Sequence, residues 1–175
     1  MRDYETWFAG RNYIATGYNP RMIYGKYNCD RSEDIQKMSF SDGYFDAVIC
    51  IQVLEHVENP LLAAKEIIRV LKPGGSLLVT VPFLAFYHGK KCRNHAPDHE
   101  SYPDLWRFTY QGLEQLFRDI THVETASLSG PIETRLSFIL PDWLLNFKFV
   151  RGLIDIVDHP QKVRSTKRYL LYGVK

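Results

Sequence analysis

The sequence predicts an α/β fold in which strands and helices alternate around a parallel sheet. Three neighbouring patterns in the 175-residue chain carry this prediction. Residues 45–51 are almost wholly apolar, residues 61–71 repeat apolar side chains at helical spacing, and residues 76–81 form a second apolar run. Short continuous apolar runs are typical of strands covered on both faces, as in parallel sheets. The order strand, helix, strand then predicts a right-handed crossover between parallel neighbours.

The first strand signal lies at residues 12–18, a short run rich in β-forming side chains. Asn19 and Pro20 follow it and predict a turn, because proline donates no hydrogen bond to a ladder. Residues 41–43, Ser-Asp-Gly, predict the turn before the apolar run at 45–51. We expect that run to be a central strand of the sheet.

The helix between the two apolar runs has a start and a stop in the sequence. Asn59 is predicted to cap it, with Pro60 at the first helical position. Its apolar face is predicted to consist of Leu61, Ala64, Ile67, Ile68 and Leu71. Residues 72–75, Lys-Pro-Gly-Gly, predict its end and the turn into the next strand.

The later elements complete the same fold within one predicted domain, residues 1–175. Thr109 is predicted to cap a helix that carries Leu113, Leu116 and Phe117. Residues 123–128 and 169–174 are predicted to be closing strands, antiparallel to their partners, with an apolar and helical segment around 143–157 between them. Helices are expected on both faces of the sheet.

Composition and charge indicate which kind of partner and which cellular compartment the sequence favours. Lys and Arg number 22 against 20 Asp and Glu, so the net charge of +2 does not favour nucleic acid. Three widely spaced cysteines indicate reduced thiols in the cytoplasm rather than a disulfide framework. Charges interrupt the most apolar stretch, residues 138–157, so we expect no membrane span. The charged residues that follow Met1 do not resemble a secretory signal.

Three segments in this order carry a resemblance to a known family. They are DIQKMSFSDGYFDAVICIQVLEHVENP at residues 34–60, EIIRVLKPGGSLLVTVPF at 66–83 and PDLWRFT at 103–109. The chain resembles the class I S-adenosylmethionine-dependent methyltransferases, specifically the type 11-like group with glycan and small-molecule members. The resemblance implies a Rossmann-like methyltransferase fold with a mostly parallel sheet and a C-terminal antiparallel hairpin. It also implies methyl transfer from S-adenosylmethionine to a sugar or another small molecule.

The resemblance implies a set of cofactor-binding residues. By position, Asp34 would take the adenine amino group and Ile35 would lie against the adenine ring. A plainer alternative is that Asp34 caps or turns its loop. Cys50, Ile51 and Gln52 would lie beside the methionine half of the cofactor, since ligands of open α/β sheets bind at the carboxyl ends of the strands.

The chain also departs from the family pattern. The family's first strand and glycine-rich loop do not precede residue 12, so the sequence is interpreted as an N-terminally truncated domain with its first strand missing. Gly17 stands where the family has a ribose-binding acid, although Asp30 or Glu33 could reach across. These departures support a second hypothesis, a non-catalytic methyltransferase-like remnant or accessory subunit that binds a protein partner.

The missing strand predicts a gap in the sheet. Either the second strand pairs directly with the fourth, or another chain covers the open edge, because unpaired strand edges attract partners. We expect a homo-oligomer or a protein partner over this gap.

Several polar residues are candidates for catalysis or acceptor binding. His56 borders the active site in relatives, where a structural role and acid–base work are both open. The segment at residues 99–109 lies over the acceptor site in relatives, so His99 is a second catalytic candidate. His95, Asp104 and Arg107 are the predicted substrate contacts, with Arg107 suited to clamp a carboxylate or phosphate. The alternative is that Asp104 and Arg107 pair with each other and hold the loop.

The same polar loop raises the question of a metal. Cys92, His95, Asp98 and His99 lie within eight residues, and His88 is nearby. Their spacing matches no known finger or ribbon pattern, so the sequence predicts no metal site.

Overall fold

The computed structural model describes residues 10–18, 29–89, 102–130, 134–135, 138 and 166–175. Its strands are β1 (Thr16–Gly17), β2 (Arg31–Ser32), β3 (Phe45–Ile51), β4 (Leu71–Pro82), β5 (His122–Ser127) and β6 (Arg168–Val174). Its helices are α1 (Pro60–Val70), α2 (Tyr110–Leu116) and a short 3₁₀ helix at Leu54–His56. The predicted helical segment around 143–157 lies outside the described residues.

A four-stranded sheet in the order β3-β4-β6-β5 forms the centre of the fold. β3 and β4 are parallel, and β6 is antiparallel to both β4 and β5. β1 and β2 form a separate parallel pair, in which Thr16 lies opposite Arg31. The α/β fold class and the antiparallel closing hairpin are therefore confirmed.

β3 differs from its prediction as a central strand. In the described part of the chain it pairs with β4 and has no partner on its other side. Ile49 is 48% exposed and Ile51 is 43% exposed, although the apolar run predicted burial on both faces. β1 pairs with β2 and not with β3 in this part of the chain, so the direct pairing that was one of the two expected arrangements is not seen among the described residues.

α1 begins as its sequence predicts, but its buried face is shifted. Ala63 and Val70 are buried along with Ala64 and Ile67, whereas Leu61, predicted on the apolar face, is 46% exposed. The Asn59 side chain accepts hydrogen bonds from the backbone N–H groups of Leu61 and Leu62, at 3.1 and 3.2 Å. The predicted cap of α2 is confirmed as well, because Thr109 accepts from the N–H of Gly112 at 3.0 Å.

The C-terminal end of α1 is capped by a side chain that the sequence did not single out. Lys175 Nζ donates to the carbonyl oxygens of Ile68 and Leu71, at 2.8 and 2.7 Å. A cation at this end satisfies free carbonyl groups and complements the helix dipole. Lys72, the cation in the predicted stop segment, pairs instead with Asp46 at 2.7 Å.

The Lys-Pro-Gly-Gly segment lies within β4, which begins five residues earlier than predicted. The register with β3 shifts between Phe45 and Ala47, so this segment bulges from the ladder. Any side chain at position 75 would place its Cβ only 2.9 Å from the Lys72 carbonyl oxygen. That distance is too short, so the position accepts only glycine unless the backbone shifts.

The hydrophobic core lies between the sheet and the two α-helices. Its largest fully buried apolar side chains are Phe117, Leu54, Ile67, Leu71, Leu77, Leu113 and Leu171. α1 and α2 contact each other, and each contacts strands of the four-stranded sheet. Among the described residues, no helix has the length and apolar character required to cross a bilayer.

Candidate functional site

Residues 102–109 cross the carboxyl ends of β3 and β4. The N–H groups of Leu105 and Trp106 donate to the Glu55 carbonyl oxygen, at 2.8 and 3.2 Å, and the Phe108 N–H donates to that of Pro82 at 3.0 Å. Since β3 and β4 are parallel, they end at the same edge of the sheet. The crossing segment therefore joins the residues that follow both strands into one site.

Glu55 is the buried acid of this site. It follows β3 in the 3₁₀ helix and is fully buried, and neither carboxylate oxygen has a hydrogen-bond partner within the described ranges. His56 Nε2 and His88 Nε2 each lie 3.7 Å from Glu55 Oε1. Burial raises the pKa of the Glu55 carboxyl above its ordinary value.

The two imidazole rings are held in defined orientations. His56 Nδ1 bonds the Pro103 carbonyl oxygen, and His88 Nδ1 lies 3.2 Å from the Phe86 carbonyl oxygen. A carbonyl oxygen accepts only, so Nδ1 carries a proton in both rings. The rings meet edge to face with centroids 5.0 Å apart, and both direct Nε2 toward Glu55.

Asp104 and Arg107 form a bidentate ion pair. Arg107 donates to both Asp104 oxygens, and the His88 N–H donates to Asp104 Oδ2 at 2.8 Å. These Arg107 hydrogen bonds hold the pKa of Asp104 well below its usual range. Arg107 also donates to the Ala85 and Phe86 carbonyl oxygens, at 3.2 and 3.0 Å. The two residues pair with each other, as one of the two predictions had it, and acceptor contact stays a prediction.

The end of β3 carries the predicted contacts for the methionine half of the cofactor. The Cys50 side chain lies in the core, where burial raises the pKa of its thiol to about 12. The Ile51 side chain is exposed, and Gln52 adopts a φ of 52°, in the left-handed region that few residues other than glycine enter. Such conformations are frequent at ligand sites.

Asp34 both turns its loop and keeps one oxygen available. Its Oδ1 accepts from the Gln36 backbone N–H at 2.9 Å, which is the plainer role that the sequence allowed. Its Oδ2 has no hydrogen-bond partner in the part of the chain that the structure describes. Gln36 Oε1 accepts from the Asn59 N–H at 2.8 Å, so this loop is tied to the start of α1. Ile35 packs against the core.

The two acids that could replace the ribose-binding residue are engaged elsewhere. Asp30 Oδ2 accepts from the Ala15 N–H at 2.8 Å, at the start of β1. The Glu33 carboxylate accepts from the Ser39 hydroxyl and N–H, at 2.5 and 2.9 Å. Both acids therefore accept hydrogen bonds from within the chain, and a ribose-binding role for either stays a prediction.

Comparisons with known proteins find methyltransferases similar to part of the chain. The family model described as "Methyltransferase domain" matches residues 4–79. A 2-methyl-6-phytyl-1,4-hydroquinone methyltransferase from Synechocystis is 38% identical over 65 residues, which are 37% of this chain and 20% of that protein. The matched part is thus about a fifth of that relative's length.

Over residues 4–79 the chain is similar to the S-adenosylmethionine-dependent methyltransferases, and the structure has the Rossmann-like fold of such enzymes.

Solved structures of low sequence identity share the described fold. A SAM-dependent methyltransferase from Thermotoga maritima aligns with a TM-score of 0.55 at 16% identity, over 91% of this chain and 72% of its own. A chain in the Haloferax volcanii complex of the Trm112 methyltransferase activator aligns with a TM-score of 0.51 at 20% identity, over 91% and 70%.

The site contains two residues that the sequence analysis did not propose for it. Glu55 was not singled out and His88 was noted only near the Cys92–His99 cluster, yet both meet His56 at one point. The sequence feature that could have indicated them is their position after the two predicted parallel strands, Glu55 after β3 and His88 after β4. His95, His99 and Cys92 lie outside the described residues, so their predicted roles stay predictions.

Proposed function

We propose that this chain forms part of a methyltransferase that transfers a methyl group from S-adenosylmethionine to a sugar or another small molecule. The observation that carries the proposal is the parallel β3–β4 pair, whose carboxyl ends bring the strained Gln52 beside a cluster of ionisable side chains. Ligands of open α/β sheets bind at this edge.

The described residues offer contacts at two ends of the cofactor. At the adenine end, Asp34 Oδ2 is available to accept from the exocyclic amino group, and Ile35 lies next to it in the chain. At the methionine end, the Ile51 side chain is exposed and Gln52 ends the strand. Bound S-adenosylmethionine supplies an activated methyl group, whose transfer needs alignment more than a protein nucleophile.

The acceptor is proposed to lie against the segment that crosses the strand ends. Exposed aromatic side chains surround it, namely Phe86, Tyr87, Tyr102 and Trp106. Such rings suit the apolar face of a sugar or of another small molecule. His56 or His99 would accept the acceptor's proton, and His95, Asp104 and Arg107 would contact the acceptor.

Asp34 gives the sharpest test of cofactor binding. Asparagine keeps the oxygen that turns the loop but replaces Oδ2 with an NH₂ group, which would face the adenine amino group donor to donor. We expect isothermal titration to show micromolar binding of S-adenosylmethionine by the unchanged chain, about 8 kcal/mol. Asp34→Asn is expected to weaken it by roughly 1–3 kcal/mol, or 5- to 150-fold.

Asp119 supplies a matched control for this titration, because its side chain is exposed on the surface at the end of α2. Asp119→Asn should leave the affinity unchanged. If both variants lose affinity equally, or if Asp34→Asn loses none, Asp34 does not bind the adenine.

The open edge of β3 supports a second candidate function, in which the chain docks a protein partner or a second copy of itself. Ile49 and Ile51 are exposed along this strand, and an unpaired edge is a template for another strand. The Haloferax volcanii complex with a methyltransferase activator offers a precedent for a partnered relative of this fold.

Light scattering tests self-association through this edge. We expect a mass above the 20.4 kDa of one chain. A lysine on an edge strand disfavours pairing, so Ile49→Lys should lower the mass, whereas Leu61→Lys on exposed α1 should not. A monomer at every concentration would argue against the self-associating form.

A further inference from the structure

Three potential ligand atoms converge on one point at the edge of the sheet. Glu55 Oε1, His56 Nε2 and His88 Nε2 all lie within 4.8 Å of one another. Two of these separations, from each imidazole nitrogen to the carboxylate oxygen, are 3.7 Å. A hydrogen bond between nitrogen and oxygen spans about 2.7–3.2 Å, so these contacts are too long to be hydrogen bonds.

The proton positions make this convergence unusual. Both Nδ1 atoms carry protons that point at carbonyl oxygens, as shown above. A neutral ring with its proton on Nδ1 has a lone pair on Nε2. Two imidazole lone pairs and a carboxylate oxygen therefore face one another, and one cation between them could bind all three.

The burial of Glu55 provides an independent observation. Its side chain is fully buried, and both of its oxygens lack a hydrogen-bond partner among the described residues. An isolated buried carboxylate costs several kcal/mol, and native proteins rarely leave one without compensation. A bound cation would compensate it.

We propose that Glu55, His56 and His88 bind a first-row divalent transition metal ion. Two imidazoles and one carboxylate are a ligand set of zinc and non-haem iron sites, whereas Mg²⁺ and Ca²⁺ prefer oxygen ligands. Ligands of such an ion lie roughly 3.0–3.5 Å apart, so the two nitrogen–oxygen separations of 3.7 Å need to contract by only a few tenths of an ångström. The two imidazole nitrogens lie within 4.8 Å of each other and would draw together around the ion.

The surroundings match those of a metal site. A ligating histidine commonly donates its other ring N–H to a carbonyl or carboxylate, which fixes the ring and its tautomer. Pro103 supplies that carbonyl for His56, and Phe86 supplies it for His88, with Asp104 Oδ2 3.4 Å from His88 Nδ1. Three protein ligands leave open positions for solvent or an acceptor oxygen. His56 would then be unavailable as a base, which leaves His99 for that role.

The proposal is tested with Zn²⁺ and Co²⁺ on the full chain, after removal of bound metal with a chelator. We expect isothermal titration to give one Zn²⁺ per chain and Co²⁺ to give visible d–d absorption bands. His88→Ala should weaken binding by more than about 100-fold, because loss of even an outer partner of a ligand costs 10- to 100-fold. Glu55→Gln should abolish the Co²⁺ bands of the bound site.

Two controls keep the test decisive. His122→Ala removes an exposed histidine on β5, away from the site, and should leave affinity unchanged. His88 lies in a partly exposed loop, so far-ultraviolet circular dichroism should show that His88→Ala is folded. Absence of Zn²⁺ binding, or equal affinity in His88→Ala, would overturn the proposal. The titration contains no S-adenosylmethionine, so its result is independent of the proposed methyl transfer.

Discussion

Replacing Arg107 with alanine is expected to lower the free energy of unfolding by about 3–5 kcal/mol, because the variant leaves a buried carboxylate without its partner. The Asp104 side chain is fully buried and accepts two hydrogen bonds from the Arg107 guanidinium group. Arg107 also holds the carbonyl groups of Ala85 and Phe86, so its loss releases the segment that follows β4. Urea unfolding followed by circular dichroism measures the effect.

Two further variants separate the contributions of charge and geometry. Arg107→Lys keeps the charge but loses the planar guanidinium fork. Its free energy of unfolding should therefore lie between that of the unchanged chain and that of Arg107→Ala. Asp104→Asn combined with Arg107→Met removes both charges and should recover part of the stability. If Arg107→Ala unfolds at the same urea concentration as the unchanged chain, the ion pair does not hold this segment and Arg107 is available for the acceptor.

Leu113→Ala is expected to cost about 3–5 kcal/mol of unfolding free energy. Leu113 is fully buried on α2 and belongs to the core that packs under the sheet. Removal of a buried leucine side chain loses its transfer free energy and leaves a cavity that the surroundings fill only partly.

Leu61→Ala is the matched control, because it makes the same chemical change on α1 where the side chain is 46% exposed. We expect the free energy of unfolding of Leu61→Ala to change by less than about 1 kcal/mol, since alanine also favours the helix. Similar losses in the two variants, measured by urea unfolding, would mean that the described core is placed wrongly.

Local patterns in the sequence predicted most elements of the fold. Asn59 and Thr109 cap helices where their position predicted it, because a cap depends on a few adjacent residues. The closing strands β5 and β6 lie within one residue of their predicted bounds. These features are set by short-range periodicity and need no knowledge of the rest of the chain.

Features that depend on distant residues were not predicted. The apolar composition of β3 indicated a central strand, but its position at the edge depends on which strands pair beside it. The cap that Lys175 provides for α1 joins residues more than 100 positions apart. No local pattern records such a contact.

The candidate site divides in the same way. The end of β3 was expected to carry functional residues, because ligands of open α/β sheets bind at the carboxyl ends of the strands. The meeting of His88 with Glu55 and His56 depends on the path of the loop after β4 and on its anchoring by Asp104. The sequence therefore indicated the edge of the sheet but predicted no metal there, whereas the geometry favours one.

Nuclear magnetic resonance with S-adenosylmethionine labelled on its transferable methyl group tests the central claim most directly. If the cofactor lies at the carboxyl end of β3, its labelled methyl should show nuclear Overhauser contacts to the side-chain methyl groups of Ile51. Its adenine protons should show contacts to Ile35. Failure of the cofactor to bind, or binding without contacts to either isoleucine, would contradict the account.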